Sequence, residues 1–129
     1  MKGNDTVTLH LPRKADYASL VRLTISGIAS KIGFDIDVIE DIKVAVSEVC
    51  NKIVSMEPES CDKYYDITFH LFSDGLKVQF TVSGELARKM FDGESGEFAY
   101  AIISSFMDEF SVDCNDDCII TMGKNLGAE

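Results

Sequence analysis

Glu48 is the side chain best placed for acid–base chemistry. It sits in Asp41-Ile42-Lys43-Val44-Ala45-Val46-Ser47-Glu48-Val49-Cys50-Asn51-Lys52. At about 100° per helical residue, Glu48 and Lys52 fall together on the flank of an apolar stripe, and Asn51 lies nearly opposite it. A carboxylate so placed could act as general base beside a bound ligand. The same spacing also describes a surface ion pair, Glu48 preceding Lys52 by four, worth roughly 0.3 kcal/mol. His10 and His70 stand on alternating segments with no Ser or Cys nucleophile in a recognisable setting, and they read as structural or solvent-facing. The four cysteines are Cys50, Cys61, Cys114 and Cys118. Cys114 and Cys118 are loosely spaced for a metal site, and Cys50 points into an apolar helix face. No metal centre is expected.

These residues need a scaffold, and its elements are legible. Residues 5–11 alternate, with Val7, Leu9 and Leu11 on one side, and predict a strand that Pro12 ends. Residues 15–32 carry Tyr17, Leu20, Val21, Thr24, Ile25, Ile28 and Ile32 at helical spacing, with Gly33 as the stop. Asp35 or Asp37 caps a second helix running to about Met56, with the stripe Val38, Ile39, Ile42, Ala45, Val46, Val49, Cys50 and Ile53. Residues 64–72 and 76–82 predict two strands joined through Asp74-Gly75. A loop from Ser83 to about Gly96, with a helical turn near residues 86–90, leads to a third helix over residues 98–110. A hairpin around Asn115-Asp116-Asp117 closes the order β-α-α-β-β-α-β-β. The expected fold is α+β: a two-layer sandwich with a mixed, mostly antiparallel sheet and helices on one face, formed by residues 1–129 as one domain.

Composition narrows the partners. The chain has 129 residues, 46% of them hydrophobic, and a net charge of −10, enough for its own core. Its acidity and the lack of a Lys/Arg cluster argue against nucleic acid and anionic membranes and favour a partner of basic character. No apolar run reaches the roughly 18 residues of a spanning helix. Without an N-terminal secretory pattern, the expected location is the cytoplasm, with thiols reduced.

Ile39-Glu40-Asp41-Ile42-Lys43-Val44-Ala45-Val46-Ser47-Glu48-Val49-Cys50 resembles the first motif of the bacterial anti-sigma factor serine kinases, which carry a histidine-kinase-like (GHKL) ATPase domain. Arg22-Leu23-Thr24-Ile25 and Phe106-Met107-Asp108-Glu109-Phe110 are similar to further segments of that family, and the order of elements agrees along nearly the whole chain. The resemblance implies Glu48 as general base toward a substrate hydroxyl. It also implies Arg22 as a residue that meets a sigma factor, and pairing as homodimers.

The nucleotide motifs depart from the family's pattern. The Mg²⁺-binding Asn is expected four residues after Glu48, where Lys52 stands; Asn51 is one residue early. An ammonium cannot ligate a metal, though Lys52 could meet phosphate directly. Val82 replaces the adenine-binding Asp ahead of Gly84, and Leu86 replaces the second glycine. Val accepts no hydrogen bond. The phosphate-cradling glycines fall on Glu97 and Ala99; Gly93 and Gly96 lie nearby as a shifted cradle or a plain loop. Cofactor contacts would thus come from Asn51, Lys52, Gly84, Gly93 and Gly96. Three readings follow, the least favoured being a domain that binds some other small molecule in the emptied pocket. The first is a regulator that binds a sigma factor or a small antagonist protein, with ATP binding weak or lost. The second is an active serine protein kinase using ATP and Mg²⁺.

Overall fold

The computed structural model describes residues 4–58, 62–83 and 89–127. Five strands, β1 (Asp5–Pro12), β2 (Tyr64–Phe72), β3 (Gly75–Ser83), β4 (Glu109–Cys114) and β5 (Asp117–Asn125), form one sheet in the order β1-β2-β3-β5-β4. Every neighbouring pair is antiparallel. Three helices, α1 (Ala18–Ile32), α2 (Ile36–Val54) and α3 (Gly93–Phe106), complete the α+β architecture, with α2 packed against both α1 and α3.

The strands alternate as their sequences demand. Ile67, Phe69, Val78, Phe80, Val82, Ile120 and Met122 are fully buried. The opposite face is polar: Thr8 meets Thr68, His10 pairs with Asp66 at 2.6 Å, and His70 bonds Gln79 at 2.9 Å. Both histidines are therefore partners in cross-strand pairs on the face away from the core. The Asp74-Gly75 hairpin forms as expected, but Gly75 has no positive φ. It is needed for close approach, since a Cβ there would lie 2.8 Å from the Lys124 carbonyl oxygen.

Helix limits follow local chemistry. Gly33, at φ 115°, ends α1, and the Asp35 carboxylate accepts from the Val38 amide at 3.0 Å to start α2. α2 buries Ile39, Ile42, Ala45, Val46, Val49, Cys50 and Ile53, the predicted stripe almost entire. The α1 stripe is narrower than predicted. Val21, Ile25, Ile28 and Ala29 are buried; Tyr17, in the 3-10 turn Ala15–Tyr17 before α1, and Leu20, about 100° around α1 from Val21, remain exposed.

Two expectations are corrected. The third helix spans Gly93–Phe106 rather than residues 98–110. Its first turn, Gly-Glu-Ser-Gly, has no apolar residue to betray it, and beyond Met107 the alternation Phe110, Val112 pairs with β5 as a strand. The second correction concerns the thiols: Cys114 and Cys118 are not reduced but joined, being direct partners across the β4–β5 hairpin with Cα atoms 4.0 Å apart. Loop-closure entropy for so short a ring predicts that reduction lowers stability by about 2 kcal/mol. Urea titrations with and without dithiothreitol check this, and Cys114→Ser/Cys118→Ser should match the reduced protein.

Cys50 remains a free thiol. Burial pushes its pKa up to about 11, only partly offset by the Tyr65 hydroxyl and by the Arg22 charge. It is protonated and weakly nucleophilic at neutral pH.

Candidate functional site

α2 positions the central side chains because its apolar stripe leaves one flank free on either side. On the α1 side, Glu48 lines a cavity of about 380 Å³ together with Arg22, Glu40, Lys43, Val44 and Ser47, and Lys43 is paired with Glu40 at 3.1 Å. Arg22 reaches it from α1, as an exposed residue on the flank of the face that buries Val21 and Ile25. The groove thus gathers the Glu48 carboxylate, the Arg22 guanidinium and the Ser47 hydroxyl around one solvent-open space, along with the Glu40–Lys43 ion pair. Such a group can take a proton from, or bind, a side chain presented by another molecule.

One turn further, Lys52 leaves this groove. The Glu48–Lys52 ion pair is absent from the described ion pairs; Lys52 Nζ instead donates to Ser95 Oγ at 2.8 Å, across to the first turn of α3. Asn51 is exposed.

Gly93 and Gly96 both open α3. Gly93 has φ 80°, a conformation that favours glycine, and a Cβ there would meet nothing within 4 Å. Gly96 is buried, and a Cβ there would lie 2.2 Å from the Phe91 carbonyl carbon. The space that glycine leaves at position 96 is therefore occupied by the chain's own backbone. Asp92, Glu94 and Glu97 stand exposed around this helix start, where carboxylates suit the helix dipole but oppose an incoming anion. The preceding segment is held down by Met90, which is buried, and by Phe91, whose ring meets Tyr100 and Phe110 edge-on at 6.3 and 5.7 Å. Val82 is fully buried at the end of β3, beside Cys118. Gly84, Glu85 and Leu86 lie outside the described residues.

The model of the "Histidine kinase-like ATPase domain" matches residues 11–124. The chain belongs to this family. The relatives named serine-protein kinase RsbW include one from Halalkalibacterium halodurans, 28% identical over 95% of this chain and 84% of the relative. Another, from Bacillus velezensis, is 31% identical over 97% of the chain and 88% of the relative. A third, from Bacillus licheniformis, is 30% identical over 99% and 90%. The resemblance to the anti-sigma factor serine kinases drawn from residues 39–50 is thus borne out across the domain. Set on this histidine kinase-like scaffold, the sequence-predicted residues separate into two groups: Glu48 with Arg22 between α1 and α2, and Lys52 with Gly93 and Gly96 between α2 and α3.

Sequence reading missed Ser95 as the partner of Lys52, and it missed Arg13. The Arg13 guanidinium donates to five carbonyl oxygens: Asp62 at 2.7 Å, Ile53 and Met56 at 3.0 Å, Glu57 at 3.3 Å and Pro58 at 3.5 Å. No motif marks either residue, since their partners lie about 40 positions away. Among the described residues no group of three or more His, Cys, Asp or Glu could hold a metal ion, and no helix is long and apolar enough to cross a membrane.

Proposed function

We propose that this domain is an anti-sigma-factor-like regulator that acts by binding a protein, a sigma factor or a small antagonist, with Mg-ATP binding weak or lost. The observation that supports it most is the Lys52–Ser95 bond. An ammonium stands where the family's pattern has a metal-binding amide, and it is spent on α3. Magnesium requires oxygen ligands and triphosphate requires amides free of carboxylates. Lys52, the packed Gly96 and the Asp92, Glu94 and Glu97 field do not fit either. Buried Val82 offers adenine no acceptor, a loss worth about 1–3 kcal/mol on its own.

The groove at Arg22 and Glu48 is the proposed contact with the partner, reached without nucleotide. Thermal melting in millimolar Mg-ATP should leave the midpoint unchanged. A true binder with ligand at 100 times its Kd would instead gain about 2.7 kcal/mol. Capture of a sigma factor or antagonist should be equal with and without nucleotide and should weaken in Arg22→Ala. A clear nucleotide-induced stabilisation with transfer of phosphate to a serine of the antagonist would reverse the reading in favour of the kinase. The placement of half-buried Glu48 in one groove with Arg22 and Ser47 is the feature that suits that alternative.

A further inference from the structure

A second cavity, of about 400 Å³, lies at the opposite end of β1 from its start, under the C-terminus of α2. Its apolar wall is made by Tyr64, Val54, Met56 and Pro58, and its cations are Lys14, Lys63 and Arg13. In a chain of net charge −10, three of the 12 Lys and Arg side chains converge here, and no Asp or Glu is among the described lining residues.

The walls are held in place. Arg13 consumes its own donors on the carbonyls of Ile53, Met56, Glu57 and Pro58, so it fixes the segment that carries the apolar side chains. The Tyr64 ring is stacked on His10 at 4.9 Å and 3°, and His10 is anchored by Asp66. Lys14 and Lys63 are different: both are exposed, and neither ammonium has a hydrogen bond or ion pair among the described residues. The cavity therefore offers an aromatic and aliphatic surface and, in its lining, two cations without partners among the described residues. Its size is that of a small-molecule site, and its cations beside apolar and aromatic side chains suit a ligand with an anionic end and an apolar body.

We propose that this cavity is a binding site for a small amphipathic anion, an aromatic or apolar body carrying a carboxylate or sulfonate. The body lies against Tyr64, Val54, Met56 and Pro58, and the charged end meets Lys14 and Lys63. The site is separate from the Arg22–Glu48 groove and does not depend on the nucleotide reading.

The probe is 8-anilinonaphthalene-1-sulfonate, followed by fluorescence with the full chain. Lys14→Gln/Lys63→Gln should weaken it between about threefold and tenfold, the range for two exposed charge contacts. Raising NaCl to about 0.5 M should weaken binding to the wild type and hardly affect the double variant. The neutral probe N-phenyl-1-naphthylamine should not distinguish the two proteins. In the unmodified protein, amide shifts on adding the sulfonate should centre on Val54, Lys63 and Tyr64. Equal affinity of the sulfonate for wild type and double variant, or shifts centred elsewhere, would overturn the proposal. The amide map needs no variant, so it decides the matter even if the substitutions disturb folding.

Discussion

Gly96→Ala should destabilise the protein by about 3 kcal/mol, the upper part of the usual cost of overpacking. The added Cβ would meet the Phe91 carbonyl carbon at 2.2 Å, its oxygen at 2.3 Å and its Cα at 2.7 Å, all of them backbone atoms. No rotamer change relieves such a contact, so either the first turn of α3 or the segment before it must move. Moving α3 draws Ser95 away from Lys52. Moving the segment lifts Phe91 from Tyr100 and Phe110. The intrinsic helix preference of Ala over Gly, about 1 kcal/mol, offsets only part of this. Gly27→Ala is the control: it lies within α1, where a Cβ meets nothing within 4 Å, and it should stabilise by up to about 1 kcal/mol. Urea denaturation of both variants checks the pair. A Gly96→Ala protein as stable as wild type would mean that the position is not packed against Phe91.

Arg13→Ala should cost about 2–3 kcal/mol. Hydrogen bonds from a charged donor are worth about 1.5–3 kcal/mol each when water cannot replace them. Only the two to Ile53 and Met56 are partly buried, while those to Asp62, Glu57 and Pro58 are exposed and are readily refilled by water. The guanidinium also carries positive charge at the C-terminus of α2, where the helix dipole favours it. Lys in its place should recover less than half of the loss, because one ammonium cannot span carbonyls that a planar fork reaches together. Thermal and urea unfolding of Arg13→Ala and Arg13→Lys test this; equal stability of the two would remove the fork from the account. Hydrogen exchange should show the added opening in the last turn of α2, at Ile53 and Val54, before it appears in the strands.

Much of the fold could be read without coordinates because it rests on local periodicity. The α2 stripe from Ile39 to Ile53, the Asp35 cap, the Gly33 stop and the alternation of β2 and β3 each express a residue's choice between core and water. The family was legible for a related reason: residues 39–50 and the order of elements carry it without any knowledge of contacts. The start of α3 escaped because Gly93, Glu94, Ser95 and Gly96 have no apolar member, and the close approach of Gly96 to Phe91 is visible only in the folded chain. The surface position of Leu20 escaped because helical spacing marks a flank residue as it marks a core one, and only the packing of α1 decides which is covered.

The sequence by itself determined the α+β class, the apolar face of each central element, and the residue types present at the candidate site: Glu48, Lys52, Val82 and the neighbouring carboxylates. Tertiary structure alone decided their company. It turned Lys52 to Ser95 instead of Glu48, set Glu48 beside Arg22, joined Cys114 to Cys118, and gathered Lys14, Lys63 and Tyr64 around one cavity. The physical reason is range. Burial and capping act on a residue and its near neighbours in the chain, whereas Lys52–Ser95 and Arg13–Ile53 span 43 and 40 positions. Such contacts exist only once the sheet and the three helices have brought the segments together.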